Sequence, residues 1–201
     1  MIGIVDYGMG NIASVSNIFK SFGVEVCRTD SVELLERATH IILPGVGSFQ
    51  AAVAEIDRRG LRDPILRLAQ RKPILGICLG MQLLFTKGTE GKESFGLNLI
   101  PGTVEKIKTE MILPHIGWNT IDATDSEFSS YNNRFVYFVH SYYAKTDDKY
   151  VKATTHYGLK IPSIVRKENI YGMQFHPEKS GSNGKALIST FLQSTNINIC
   201  S

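Results

Sequence analysis

Cysteine is scarce in this chain: Cys27, Cys78 and Cys200 are odd in number, far apart and without a Cys-x-x-Cys pair. That pattern argues against a disulfide framework and against a structural zinc site. Long apolar runs are missing too, and none approaches the roughly 18 residues of a membrane span. No basic segment precedes the first apolar residues, so no secretory signal is expected. The net charge is only +3 and its carriers are scattered, so no nucleic-acid surface is marked. What remains is a soluble protein of a reducing compartment, the cytoplasm, with neither nucleic acid nor membrane as partner.

What is present is enough apolar material for one sizeable core, 43% of 201 residues, and one domain over 1–201 is expected. Residues 2–6, 24–28, 40–43 and 73–77 read as short buried strands. Residues 11–22, 31–37, 49–58 and 61–71 read as helices between them, the first with Ile12, Val15 and Ile18 on one side. Strands alternating with helices imply right-handed crossovers and a mostly parallel central sheet flanked by helices. Past residue 85 the pattern becomes a polar loop over 88–96. Strands follow at 103–107, around Trp118, and at 134–140, 150–156, 161–166 and 170–175. These are read as antiparallel additions in the C-terminal half. A helix over 185–192 closes the chain.

The most informative stretch is Gly76-Ile77-Cys78-Leu79-Gly80. A buried strand runs into it and residues with helical spacing leave it. A Gly-x-Cys-x-Gly turn between strand and helix strains the middle residue, and its small flanks let the two elements pass closely. Such an elbow lifts the Cys78 sulfur off the sheet and points the first free N–H groups of the helix at whatever it attacks. A buried, inert cysteine is the alternative from this stretch alone. Late in the chain, Gln174-Phe175-His176-Pro177-Glu178 offers partners. In extended chain, residues two apart project to one side, so His176 and Glu178 can meet. A glutamate on the imidazole fixes its tautomer, and the other ring nitrogen can exchange a proton with Cys78.

Two loops at the carboxyl ends of the early strands compete for attention. Gly8-Met9-Gly10-Asn11-Ile12-Ala13 matches a dinucleotide fingerprint, with Asp30 at about the right distance for a ribose contact. A non-catalytic dinucleotide-binding module is therefore a rival reading; against it, no second domain remains for a redox substrate, and Asn11 serves as a helix N-cap. Pro44-Gly45-Val46-Gly47 can turn N–H groups inward and rearrange cheaply, which makes it a candidate oxyanion donor beside Cys78. His40 and His156, at strand ends, are expected to be solvated. His115 and His140 lie in denser company without a second ligand at metal spacing. Cys27 is expected in the core, and Cys200, next to last, is expected to be mobile.

Gly76-Ile-Cys78-Leu-Gly80-Met-Gln82, Pro44-Gly-Val-Gly47 and His176-Pro-Glu178 together resemble the triad-type, class I glutamine amidotransferase family. Asp6-Tyr-Gly-Met-Gly-Asn11, Pro114-His-Ile-Gly-Trp-Asn119 and His140-Ser-Tyr-Tyr143 are similar, within it, to the glutaminase subunits that serve histidine biosynthesis. The resemblance spans the whole chain and implies a flavodoxin-like core. It also implies Cys78 as nucleophile, His176 as acid and base, and Glu178 as its orienter. The oxyanion donors would be the N–H groups of Leu79 and of Val46 and Gly47. L-Glutamine would be held around Gly47, Gln82, Ser141 and Tyr142, with no cofactor and no metal. The ammonia would pass to a (βα)8-barrel cyclase subunit in a heterodimer. That cyclase makes imidazole glycerol phosphate and aminoimidazole carboxamide ribotide. Asn11, Trp118 and Tyr137 would face this partner, although Trp118 suits a core position equally well. A paralogue feeding another acceptor, such as a sugar, would carry the same glutamine-cleaving residues. A γ-glutamyl peptidase or the glutaminase of pyridoxal phosphate synthesis would lack the 114–119 and 140–143 stretches.

Overall fold

Short apolar strands that alternate with amphipathic helices can bury both of their faces only inside a parallel sheet. In the computed structural model, which describes residues 1–196, the first four strands pair in parallel, three of them inside the sheet and β2 at its edge. They are β1 (Ile2–Val5), β2 (Val26–Thr29), β3 (His40–Leu43) and β4 (Ile74–Ile77). Every residue of β1, β3 and β4 is buried. Helices α1 (Ile12–Lys20), α2 (Val32–Arg37), α3 (Phe49–Arg58) and α4 (Arg62–Ala69) connect them. Helix α1 buries Ile12, Val15 and Phe19, and Asn11 caps it by accepting the Ser14 N–H at 3.3 Å.

The second half begins with the five-residue α5 (Leu79–Leu83), then β5 (Phe85–Gly88), β6 (Ser94–Phe95), β7 (Ile100–Lys106), β8 (His115–Ala123) and β9 (Arg134–His140). Strands β10 (Tyr142–Lys145), β11 (Val151–His156), β12 (Lys160–Lys167) and β13 (Ile170–Met173) precede the closing helix α6 (Gly181–Ser194). Nine strands form one sheet in the order β2-β1-β3-β4-β13-β12-β11-β8-β9. It is parallel from β2 to β13 and antiparallel from there to β9. The last of the described strands thus returns to lie beside β4. Apolar side chains pack on both faces of this sheet, with Phe49, Ile56 and Leu68 on one and Phe19, Phe138 and Phe191 on the other.

Several expectations change. The helix after Cys78 is barely more than one turn, and Phe85 opens a strand of a second, four-stranded sheet, β10-β7-β5-β6. In that sheet β5 and β7 are parallel rather than antiparallel. His40 is not solvated: it is 4% exposed and bonded to Thr39 and Thr195 at 3.0 and 2.8 Å. Burial pulls its pKa down to about 4. Cys27 is only half-buried, because β2 is an edge strand. Cys200 lies outside the described residues. Among the described residues no helix is long and apolar enough to cross a membrane.

Glycine at the elbow follows from crowding. A Cβ on Gly80 would sit 1.8 Å from the Leu43 carbonyl oxygen, and one on Gly76 would sit 2.4 Å from the Gly80 oxygen. Both obstacles are backbone, so neither can step aside. Gly80→Ala is therefore expected to cost at least about 3 kcal/mol in urea unfolding. A change within about 0.5 kcal/mol, the range of an indifferent surface substitution, would mean that β3 and α5 do not pass as closely as described.

Candidate active site

Parallel pairing of β4 with β13 brings two distant stretches to one rim. Ile77 is in register with Met173, and the next N–H, that of Cys78, donates to the Met173 carbonyl at 2.8 Å. Cys78 is one residue past β4 and His176 three past β13, so both emerge at the same carboxyl edge. Cys78 adopts φ 55° and ψ −111° as the N-cap of α5. This is a strained geometry for a residue with a Cβ, of the kind fixed by its surroundings at reactive turns. Its side chain is 6% exposed, and the thiol donates weakly to the Val139 carbonyl at 3.8 Å.

His176 and Glu178 do meet: Nδ1 lies 2.7 Å from a Glu178 carboxylate oxygen, and both side chains are 2% exposed. The His176 N–H donates to the Tyr137 carbonyl at 2.9 Å, which fixes the backbone of this turn against β9. Nε2 has no hydrogen-bond partner and is the ring nitrogen left for the sulfur. Burial opposes a charge on this imidazole. Hydrogen bonding and charge from Cys78 and Glu178 outweigh it and raise the His176 pKa. No hydrogen bond of ordinary geometry joins Nε2 to the sulfur, and the sulfur acts on the imidazole through its charge. A raised value means the imidazolium adds stability in full below its unfolded pKa of about 6.5, and that contribution fades as pH climbs through the folded value.

A cleft of about 280 Å³ opens on the sulfur, lined by Val46, Gly47, Leu79, Gln82, Ser141 and Tyr142 among others. These six are the residues expected at the oxyanion and glutamine positions. Gly47 holds φ 111°, and a Cβ there would sit 2.6 Å from the Met9 side chain. The loop is strapped from below by the buried Tyr7 hydroxyl, which donates to the Pro44 carbonyl. Burial and the neighbouring Cys78 charge push the Tyr7 pKa upward, so it stays a donor. Gln82 donates to the Tyr142 carbonyl at 2.9 Å and to Gln174 at 3.1 Å.

Glu90 and His140 also line the cleft, and the sequence reading gave neither a role. The Glu90 carboxylate accepts the Phe49 N–H at 2.7 Å, at the start of α3. Only the folding back of a polar loop brings it there, and no local periodicity announces that. The Gly8 loop is not shaped around a nucleotide. A Cβ on Gly8 would strike Arg59 at 2.9 Å, and one on Gly10 would meet the Gly45 nitrogen at 3.3 Å. Asp30 is ion-paired with Arg59 at 3.1 Å. Trp118 is 55% exposed, which excludes the core reading, and packs edge-on against half-buried Tyr137 at 6.0 Å. Asn11 is exposed. Among the described residues no cluster of side chains could hold a metal ion.

Comparison with known proteins is consistent with this arrangement. The family described as glutamine amidotransferase class-I matches residues 3–194. An "Imidazole glycerol phosphate synthase subunit HisH" from Bacillus cereus is 44% identical over 196 residues, covering 95% of this chain and 93% of its own. The Exiguobacterium sibiricum protein of the same name is 43% identical over 195 residues, covering 97% and 96%. Among solved structures, one described as a glutamine amidotransferase superposes with a TM-score of 0.79 at 18% identity, covering 98% and 99%. PurLQS from Thermotoga maritima gives 0.75 at 19%, covering 96% and 97%. At such identities the structures speak for the fold alone.

The raised His176 pKa can be followed directly. In wild type, His176 is expected to hold its proton through neutral pH, as followed by heteronuclear NMR of the imidazole. Cys78→Ala and Glu178→Gln should each lower its midpoint. A midpoint unmoved by Cys78→Ala would mean that the two groups do not interact.

Proposed function

The chain belongs to the class-I glutamine amidotransferase family, and from that premise we propose that it hydrolyses L-glutamine and passes the ammonia to a cyclase subunit in histidine biosynthesis. The observation that supports this reading is that β4 and β13 bring Cys78, in the cleft, and the bonded His176–Glu178 pair to the same edge of the sheet. Cys78, as thiolate, attacks the side-chain carboxamide carbon, and the oxygen takes up negative charge. The N–H of Leu79 stabilises that charge, together with an N–H from Val46 or Gly47. His176 gives its proton to the departing nitrogen, the carbon–nitrogen bond breaks, and ammonia leaves a γ-glutamyl thioester on Cys78. Water then gives a proton to His176 and attacks the thioester, releasing glutamate and the thiolate. Glu178 keeps the imidazole in orientation and offsets its charge throughout. Gly47, Gln82, Ser141 and Tyr142 hold the amino acid, with the Glu90 carboxylate available to its ammonium group.

The partner is a (βα)8-barrel cyclase in a heterodimer, and it docks on the outer face of β8 and β9. Ile116, Trp118 and Phe135 are 59%, 55% and 54% exposed there, an unusual concentration of bare apolar surface. Tyr137 and Asn11 extend this face toward the cleft. The Met9 side chain fills the space a Cβ on Gly47 would need, so a partner pressing on the Asn11 loop would move the candidate oxyanion donor. That contact supports gating, in which the chain alone works slowly and the loaded complex works fast. The protein functions as a single glutamine amidotransferase domain over 1–201, in the cytoplasm, where Cys78 stays a free thiol.

Glutamine hydrolysis by wild type and Cys78→Ala, each with and without the cyclase and its nucleotide substrate, tests the reading. Wild type with loaded cyclase should exceed wild type alone by at least about 100-fold, and Cys78→Ala should lose at least about 10⁴-fold of the stimulated rate. Equal rates with and without cyclase would dismiss the gating, and an active Cys78→Ala would dismiss the nucleophile. Stimulation only by a different synthase would redirect the ammonia to another acceptor, such as a sugar.

A further inference from the structure

Two buried histidines stand beside the cleft without a part in the proposed chemistry. His115 and His140 are 3% and 6% exposed, with His115 Nδ1 3.1 Å from His140 Nε2. Their neighbours fix both tautomers. The Tyr142 carbonyl can only accept, so His140 Nδ1, 2.9 Å away, carries the hydrogen. Burial keeps both rings neutral at physiological pH, each lowered to about 4. Nε2 of a neutral His140 is then the acceptor, and His115 Nδ1 must donate to it. His115 Nε2 in turn accepts from the Asn119 amide nitrogen at 3.3 Å. That amide cannot turn over, because its oxygen accepts the Thr120 N–H at 2.8 Å and its nitrogen donates to the His156 carbonyl at 3.0 Å. The His115 ring is clamped between Tyr157 and Phe138, at 3.9 and 4.9 Å.

The path continues beyond Tyr142. Its carbonyl also accepts the Gln82 amide, whose second hydrogen goes to the Gln174 oxygen. Gln174 is fully buried, and this bond turns its nitrogen toward the Cys78 sulfur, 4.0 Å away. We propose that Asn119, His115, His140, the Tyr142 carbonyl, Gln82 and Gln174 form one positioning relay that fixes the backbone at Ser141 and Tyr142 and aims an amide N–H at the Cys78 sulfur anion. His115 and His140 are positioning residues in it, and Gln174 is the donor. The inference rests on Cys78 being the nucleophile. Asn119 neighbours exposed Trp118 on β8, so a protein seated on that face lies one residue from the outer end of the relay.

Two readouts on the full chain test it, and neither needs glutamine turnover. In long-range nitrogen–proton NMR at neutral pH, both histidines should carry hydrogen on Nδ1, the less favoured tautomer of imidazole in water. In Asn119→Ala, a half-buried site, His115 should keep its hydrogen on Nδ1, which His140 fixes, while its Nε2 resonance shifts on losing the amide donor. Alkylation of Cys78 by iodoacetamide, located by peptide mapping, should slow about tenfold in Gln174→Leu and His140→Leu, the effect of losing one hydrogen bond to a charged group. It should recover in His140→Asn, which keeps an N–H where Nδ1 was. A native circular-dichroism spectrum for each variant separates this slowing from unfolding, which would also return the thiol to its ordinary pKa. Hydrogen on Nε2 of either ring, or unslowed alkylation in folded His140→Leu, would overturn the relay. Failure of wild type to hydrolyse glutamine with any cyclase would instead dismiss the functional reading and leave both readouts standing.

Discussion

The parallel pairing of β4 with β13 is the constraint on which the rest depends. Nearly a hundred residues separate the two strands, yet their register ends on the Cys78 N–H donating to the Met173 carbonyl. That bond fixes where the strained cysteine stands relative to His176, because only two residues lie between Met173 and His176. The intervening chain must therefore leave the parallel core, build a second sheet and the antiparallel strands, and return to the middle. The cleft beside Cys78 lies where this excursion folds back, between the elbow and the turn joining β9 to β10.

Crowding and electrostatics then act on the same few atoms. Backbone packs so tightly around Gly76 and Gly80 that α5 has one place to start, and Cys78 has one conformation. With α5 so short, its free first N–H groups, rather than a long helix dipole, are what the site offers to a developing negative charge. Glu178 and the sulfur together hold the imidazole in its charged form against the cost of burial. The 44–47 loop differs in kind: it is tied at Pro44 by Tyr7 and at Phe49 by Glu90, with a glycine left free to turn between. A fixed rim beside an adjustable loop is the arrangement on which the proposed control by a partner draws.

Much of this was legible in the sequence because the chemistry is locally encoded. Cys78 is announced by its flanking glycines, and His176 by a glutamate two residues on. The early strands and helices followed from their apolar spacing, to within one or two residues for most. What escaped depends on distant chain. His40 looked like a polar strand end, yet Thr195 and Phe191 of the closing helix region cover it. Residues 85–88 and 94–95 are too short to read as strands without the partners that make them so. Glu90 is an ordinary residue in sequence, and His115, His140 and Gln174 stand in informative stretches without a role of their own; that role appears only when loops and strands up to 92 residues apart meet, as Gln82 and Gln174 do. The dinucleotide-like glycines were a true pattern with another cause, the close approach of two loops.

The central claim is that the Cys78 sulfur forms the bond that splits the carboxamide, and the most direct measurement is to catch that bond. Wild type mixed with glutamine and a loaded cyclase is quenched in acid during turnover, digested and weighed by mass spectrometry. The account predicts a γ-glutamyl adduct on the peptide containing Cys78, accumulating when the second proton transfer is slowed. An adduct on another residue, or steady glutamate release with none at all, would contradict it.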